Sequence, residues 1–118
     1  MGTRAFTRVN ASTKATICLG NQTVHGIATN VSLQGLYVRI QRHIPLHHPI
    51  RVMLVPQQSE QIQADAEVVW LDQSGGMGIQ INRIDVNSFV NLRNFIARQQ
   101  VDFNDIMMET YKMIDCIN

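Results

Sequence analysis

Asn30-Val31-Ser32-Leu33-Gln34-Gly35 joins two segments whose apolar residues alternate. Ile27 and Val31 belong to the first, and Leu36, Val38 and Ile40 to the second. The arrangement reads as the end of one strand, a tight turn and the start of the next. Residues two apart on a strand share a face, so Asn30 and Ser32 are expected to point together, away from the side that Ile27 and Val31 fill. Gly35 supplies backbone that can take positive φ or lie close under a ligand. In its plainest form this is a hairpin turn whose Ser and Asn hydrogen-bond their own backbone. It is also a patch of two polar side chains beside bare backbone.

Outward from this turn, strand-like segments continue in both directions. Upstream, Ala15, Ile17 and Leu19 alternate before a Gly20-Asn21 turn, and the next strand covers about residues 23–31. Downstream, Leu36, Val38 and Ile40 point inward, opposite Tyr37, Arg39 and Gln41. His43 to Pro49, with two prolines, is a loop. Ile50, Val52 and Leu54 begin a fourth strand that stops at Pro56. Ile62, Ala64, Ala66, Val68 and Trp70 line one face of a fifth, and Met77, Ile79 and Ile81 form a sixth after Gly75-Gly76. Short half-apolar strands with turns between them predict an antiparallel barrel or sandwich. Closure into a barrel would remove the sheet edges.

The period then changes. Val86, Phe89, Val90, Arg93 and Ile96 fit a helix beginning near Asp85. A second starts near Asp102, with Phe103, Ile106, Met107, Tyr111, Ile114 and Ile117 as its apolar face. That face would cover the barrel or pair with another subunit. The reading is one domain over residues 1–118: an arm at 1–10, a barrel at 11–84 and helices at 85–118. The fold class is an all-β core with C-terminal helices.

Composition agrees with a compact chain: 118 residues, 45% hydrophobic and 16% charged. No apolar run approaches the ~18 residues of a membrane span, and Met1-Gly2-Thr3-Arg4 has no signal-peptide core. Cys18 and Cys116 are too far apart for metal-type spacing and read as reduced thiols of a cytoplasmic protein. Charge is uneven. Arg4, Arg8, Lys14, Arg39, Arg42 and Arg51 precede Glu60 with no acid among them, and all nine acids follow. An unopposed positive half favours an anionic partner, and arginine suits forked contacts to phosphate or base edges.

Catalytic chemistry is missing from the pattern. There is no Gly-rich phosphate loop, nucleophile elbow or recognisable carboxylate pair, so the chain is not read as an enzyme. His43, His47 and His48 match no zinc spacing and read as a polar loop. Trp70 ends an apolar strand face, a place for core or rim, and its ring also suits base stacking.

Arg4-x-x-x-Arg8, a spacer of about twenty residues, then Asn30-x-Ser32-x-x-Gly35 resembles the paired signature of the PilZ family. The strand ending in Val69-Trp70, the strand Gly78-Ile79-Gln80-Ile81 and Ile84-Asp85 before a helix resemble its single-domain members along essentially the whole chain. The resemblance implies a six-stranded barrel that binds the second messenger cyclic di-GMP. It implies that Arg4 and Arg8 carry most of the binding, over a floor of Asn30, Ser32 and Gly35, and Trp70 joins them as a stacking surface. An Arg can fork onto guanine O6 and N7 or bridge to phosphate, and Asn offers both donor and acceptor.

Two departures bear on binding. Many members have Asp where Asn30 stands, so a charge-assisted contact is lost and weaker affinity is expected. Thr3 stands where some relatives have an extra Arg that goes with an intercalated ligand pair, which favours one ligand per protomer. The arm is expected to be mobile and to order over the ligand. With the motif so near the start of the chain, no upstream domain is expected, so the response goes to a separate downstream protein from a monomer or homodimer. No cofactor, nucleic-acid partner or membrane insertion is expected. The rivals are a PilZ-like interaction module that binds no nucleotide, and a single-strand-binding barrel, which would need more exposed aromatics than Phe6, Tyr37 and Trp70.

Overall fold

The computed structural model describes residues 6–57, 60–99 and 101–118. Six antiparallel strands close into a barrel: β1 (Val9–Leu19), β2 (Gln22–Val31), β3 (Gly35–Arg39), β4 (Pro49–Gln57), β5 (Glu60–Leu71) and β6 (Gly76–Ile84). Their order around the barrel is β1-β2-β3-β6-β5-β4, and β1 pairs with β4 to close it. Inward residues face each other across that seam, Ala15 opposite Leu54 and Ile17 opposite Val52. All four are buried, as are Val38, Ala64, Val68 and Ile79 from the other strands. Period-two alternation therefore built the barrel, as expected.

The alternation is interrupted at five register shifts, and three of them matter most for the site. Ala28 pairs with Val38 but Asn30 pairs with Tyr37, so Thr29 is an extra residue in β2. Ala28 and Val31 consequently both point inward, while Ile27 is exposed. This corrects the expectation that Ile27 and Val31 share the core face. A second bulge lies in β1 between Asn10 and Thr13. In β5, Val68 pairs with Ile79 and Trp70 with Gly78, leaving Val69 unpaired and turning Trp70 outward. Trp70 does not continue the apolar face of Val68; it is 54% exposed.

Helix α1 (Val86–Ala97) begins at Asp85, whose carboxylate accepts the Ser88 amide at 3.0 Å. Its Phe89, Leu92, Phe95 and Ile96 join the core. The Ser88 hydroxyl accepts the Gln63 amide at 3.0 Å, and Arg98 forks onto Glu60 at 2.7 and 2.8 Å, which binds the helix along β5.

Helix α2 (Phe103–Lys112) is capped by Asp102 and followed by a short 3-10 turn, Ile114–Cys116. Its phase differs from the expected one. Ile106, Glu109 and Met113 are buried, whereas Phe103, Met108, Tyr111 and Ile114 are exposed. The buried face of the helix carries one acid, Glu109, and hydrophobicity alone does not anticipate that phase.

Charge is less segregated in space than along the chain. Arg51 on β4 donates to Asp65 on β5 at 2.7 Å and to Gln63 at 3.1 Å. Strand pairing thus opposes one of the six N-terminal cations directly. His47 contacts Glu67 at 2.9 Å from the β3–β4 loop.

Candidate functional site

Local sequence explains the turn first. The Ser32 amide donates to the Gly35 carbonyl at 2.8 Å. The Ser32 hydroxyl accepts the Gln34 and Gly35 amides at 3.3 and 3.1 Å and contacts the Gly35 carbonyl at 3.2 Å. This is the self-bonded Ser turn of the plainest reading, and Ser32 is only 3% exposed. Gly35 has no positive φ. Its requirement is proximity, since a Cβ there would lie 2.4 Å from the Ile79 carbonyl oxygen. The tight turn thereby presses β3 onto β6.

Above the turn lies a cleft of about 490 Å³, within the range of small-molecule sites. Phe6 and Arg8 border one side, Ser32, Gln34 and Gly35 line the turn, and Tyr37, Trp70 and Gln80 are also in its wall. The Arg8 guanidinium donates to Asn30 Oδ1 at 3.1 Å, so the two motif halves meet. The bulge at Thr29 makes this possible by setting Asn30 on the outer face, opposite Tyr37. Arg4 lies outside the described residues.

Two aromatic rings form part of the wall. Tyr37 and Trp70 are 5.9 Å apart between centroids and tilted by 45°. Gly78 faces Trp70 across the strands, and a Cβ on it would approach Trp70 Cβ to 3.2 Å. The Tyr37 hydroxyl donates to Asp72, which also accepts the Ser74 amide at 2.8 Å, the Ser74 hydroxyl at 2.7 Å and the Gly76 amide at 2.9 Å. Tyr37 and Asp72 are site-supporting residues that the sequence reading did not assign. Their signal was an aromatic opposite Asn30 and an Asp opening a Gly-rich turn.

The Tyr37 hydroxyl, followed by the Gly76 amide and Ser74, holds the Asp72 carboxyl far below the usual carboxylate range. Donation to Asp72 and desolvation push the Tyr37 phenol above its ordinary value. A depressed carboxylate contributes stability above its unfolded value of about 3.9, and that contribution disappears as pH falls through the lower folded value. Urea melts of the wild type and Asp72→Asn between pH 2.5 and 7 should differ by a constant amount above about pH 5, and the gap should narrow below about pH 4. A gap independent of pH would show that Asp72 does not act as a charged acceptor.

Phe6 and Thr7 also have partners. The Thr7 amide and hydroxyl both donate to Glu109 of α2, and Lys112 Nζ lies 5.6 Å from the Phe6 ring centroid. The arm was expected at residues 1–10, of which 1–5 lie outside the described residues; β1 starts at Val9, and Phe6 to Arg8 contact α2 and β2.

A family model for the PilZ domain matches residues 2–98. The chain belongs to the PilZ family. No curated protein sequence matches it. Among solved structures, this PilZ domain is similar to the Bacillus subtilis inhibitor of motility MotI/DgrA, with TM-score 0.69 and 19% identity, over 85% of this chain and 52% of that one. It is similar to Escherichia coli YcgR in complex with c-di-GMP, with TM-score 0.70 and 13% identity, over 94% and 50%. The isolated YcgR PilZ domain with c-di-GMP superposes with TM-score 0.67 at 13% identity, over 84% and 92%. The chain spans about half the length of MotI and of the longer YcgR structure. At these identities the likeness establishes the barrel with its helices as a PilZ-type fold.

Proposed function

We propose that the cleft binds cyclic di-GMP and that the domain is a receptor that passes the bound state to a downstream protein. The observation that carries this reading is the meeting of Arg8 and Asn30, one from each half of the paired motif, beside a Tyr37–Trp70 wall. A cyclic dinucleotide presents guanine edges and faces together with phosphates. Arg8 offers a planar charged fork to phosphate or to guanine O6 and N7. Asn30 offers both polarities to a base edge. Trp70 offers an open face for stacking. Gly35 and the turn held by Ser32 keep the floor low. Arg4, four residues before Arg8, supplies the second guanidinium of the motif.

The complexes of YcgR with c-di-GMP support this assignment, as does the family. The exposed apolar residues Phe103, Met108, Tyr111 and Ile114 support contact with a protein. No helix of the described residues is long and apolar enough to cross a membrane. We place the protein in the cytoplasm as an adaptor with no catalytic role, taking one ligand per protomer.

Calorimetry with cyclic di-GMP, GTP and short oligonucleotides tests the reading. Saturable heat with cyclic di-GMP alone is expected. Its absence, or equal binding of oligonucleotides, would overturn the proposal. Within that experiment, Trp70→Ala should weaken binding by about 1 kcal/mol, the lower end of base–aromatic stacking because the ring is open on one side. Trp70→Phe should retain most of the affinity, and neither change should move the melting temperature much. Unaltered affinity in Trp70→Ala would remove Trp70 from the site.

A further inference from the structure

Glu109 is the only charged residue buried among those described, at 8% exposure. It lies on the buried face of α2 between Ile106 and Met113, where an apolar residue would bury more favourably. Both carboxylate oxygens have one and the same partner residue. Oε1 accepts the Thr7 amide at 2.7 Å and Oε2 accepts the Thr7 hydroxyl at 2.6 Å. Thr7 lies 102 residues away in the chain and immediately precedes Arg8. Next to it, Lys112 Nζ rests 5.6 Å from the centre of the Phe6 ring, one helical turn beyond Glu109. On the other side, Arg8 reaches Asn30 at 3.1 Å. Three consecutive arm residues are therefore held from two directions, by α2 and by β2.

We infer that Glu109 is a positioning residue for the cleft: it pins Thr7 so that Arg8 is presented to the ligand before the ligand arrives. The inference rests on the proposed cyclic di-GMP site and deepens it. An unpinned residue must lose backbone freedom at the moment of binding, and this subtracts from affinity. Glu109 removes part of that loss by ordering Thr7 during folding. The charge-assisted bonds to an amide and a hydroxyl are of the stronger class, which suits a hold that must survive in partly solvated surroundings. The same contact makes α2 a structural neighbour of the ligand site, although none of its residues lines the cleft.

The test uses the full chain, with three measurements on wild type, Glu109→Ala, Glu109→Gln and Thr7→Val. Amide hydrogen exchange reads the arm without ligand. The Thr7 amide should be protected in wild type and in Glu109→Gln, and exposed in Glu109→Ala. Calorimetry with cyclic di-GMP should show about fivefold or greater weakening in Glu109→Ala, the ordering of roughly one residue, and near-wild-type affinity in Glu109→Gln. Thr7→Val, which keeps the amide contact and removes the hydroxyl, should fall between them and serves if Glu109→Ala does not fold.

The third measurement is the double-mutant cycle with Arg8→Ala. If Glu109 acts by placing Arg8, then removing it in the Arg8→Ala background should change affinity by less than about twofold. Full additivity would overturn the inference and leave Glu109 a stability residue. Unchanged or tighter binding in both Glu109→Ala and Thr7→Val would overturn it too, as would an unprotected Thr7 amide in wild type. A wild type that is protected at Thr7 but gives no heat with cyclic di-GMP would sink the function reading, while showing that the arm is pinned.

Discussion

Arg8→Ala should weaken cyclic di-GMP binding by about 1.5–3 kcal/mol, about ten- to hundredfold, with little change in melting temperature. The asymmetry follows from where Arg8 sits. It is exposed and borders the cleft, and its guanidinium reaches Asn30 at 3.1 Å. Exposed hydrogen bonds of this kind add little to folding, so stability should barely register the loss. Binding should register it strongly, because a guanidinium against phosphate or guanine makes paired, charge-assisted contacts that alanine cannot replace. Arg8→Lys should recover only part of the affinity, since an ammonium retains the charge but not the planar fork. Calorimetry alongside thermal melts separates the two effects. Equal affinity in Arg8→Ala and wild type would place the ligand elsewhere.

Gly35→Ala should do the opposite and damage the fold first. The added Cβ would stand 2.4 Å from the carbonyl oxygen of Ile79, which belongs to strand backbone and cannot rotate away. Relief requires β3 and β6 to separate where Gly35 pairs with Gln80. The turn would feel it as well, because the Gly35 amide and carbonyl both bond Ser32. Overpacking of this type costs about 1–3 kcal/mol, occasionally more. A useful comparison is Gly78→Ala, whose Cβ meets a side-chain atom, Trp70 Cβ at 3.2 Å. That change should be milder for stability, because an approach of 3.2 Å needs only a few tenths of an ångström of relief between β5 and β6. Urea denaturation of both variants decides the matter; a Gly35→Ala midpoint equal to wild type would show that the close approach to Ile79 is not what requires glycine.

Much of the site was readable as pattern, for reasons that differ by residue. Asn30, Ser32 and Gly35 lie within one turn, where chemistry is local and spacing suffices. Arg8 was recognisable only through its pairing with that turn. Ser32 and Gly35 have structural work that the ligand reading did not anticipate, the one bonding the turn and the other allowing β3 to approach β6. Tyr37 and Asp72 were not assigned because their contact joins residues 35 positions apart in the chain. Trp70 was placed on a core face because alternation was extended through Val69, where a bulge reverses it.

Composition, alternation and turn chemistry determined the number of strands, their order along the chain, the two helices and the positions of their caps. Each of these depends on residues a few places apart, and local sterics and hydrogen bonding act over that range. Barrel closure through β1 and β4, the exposure of Ile27, the outward turn of Trp70 and the phase of α2 belonged to tertiary structure alone. A bulge is set by the partner strand, and the rotation of a helix by what it must satisfy on the surface beneath it. Glu109 shows why: it is buried where Thr7, near the other end of the sequence, donates both its amide and its hydroxyl to the carboxylate.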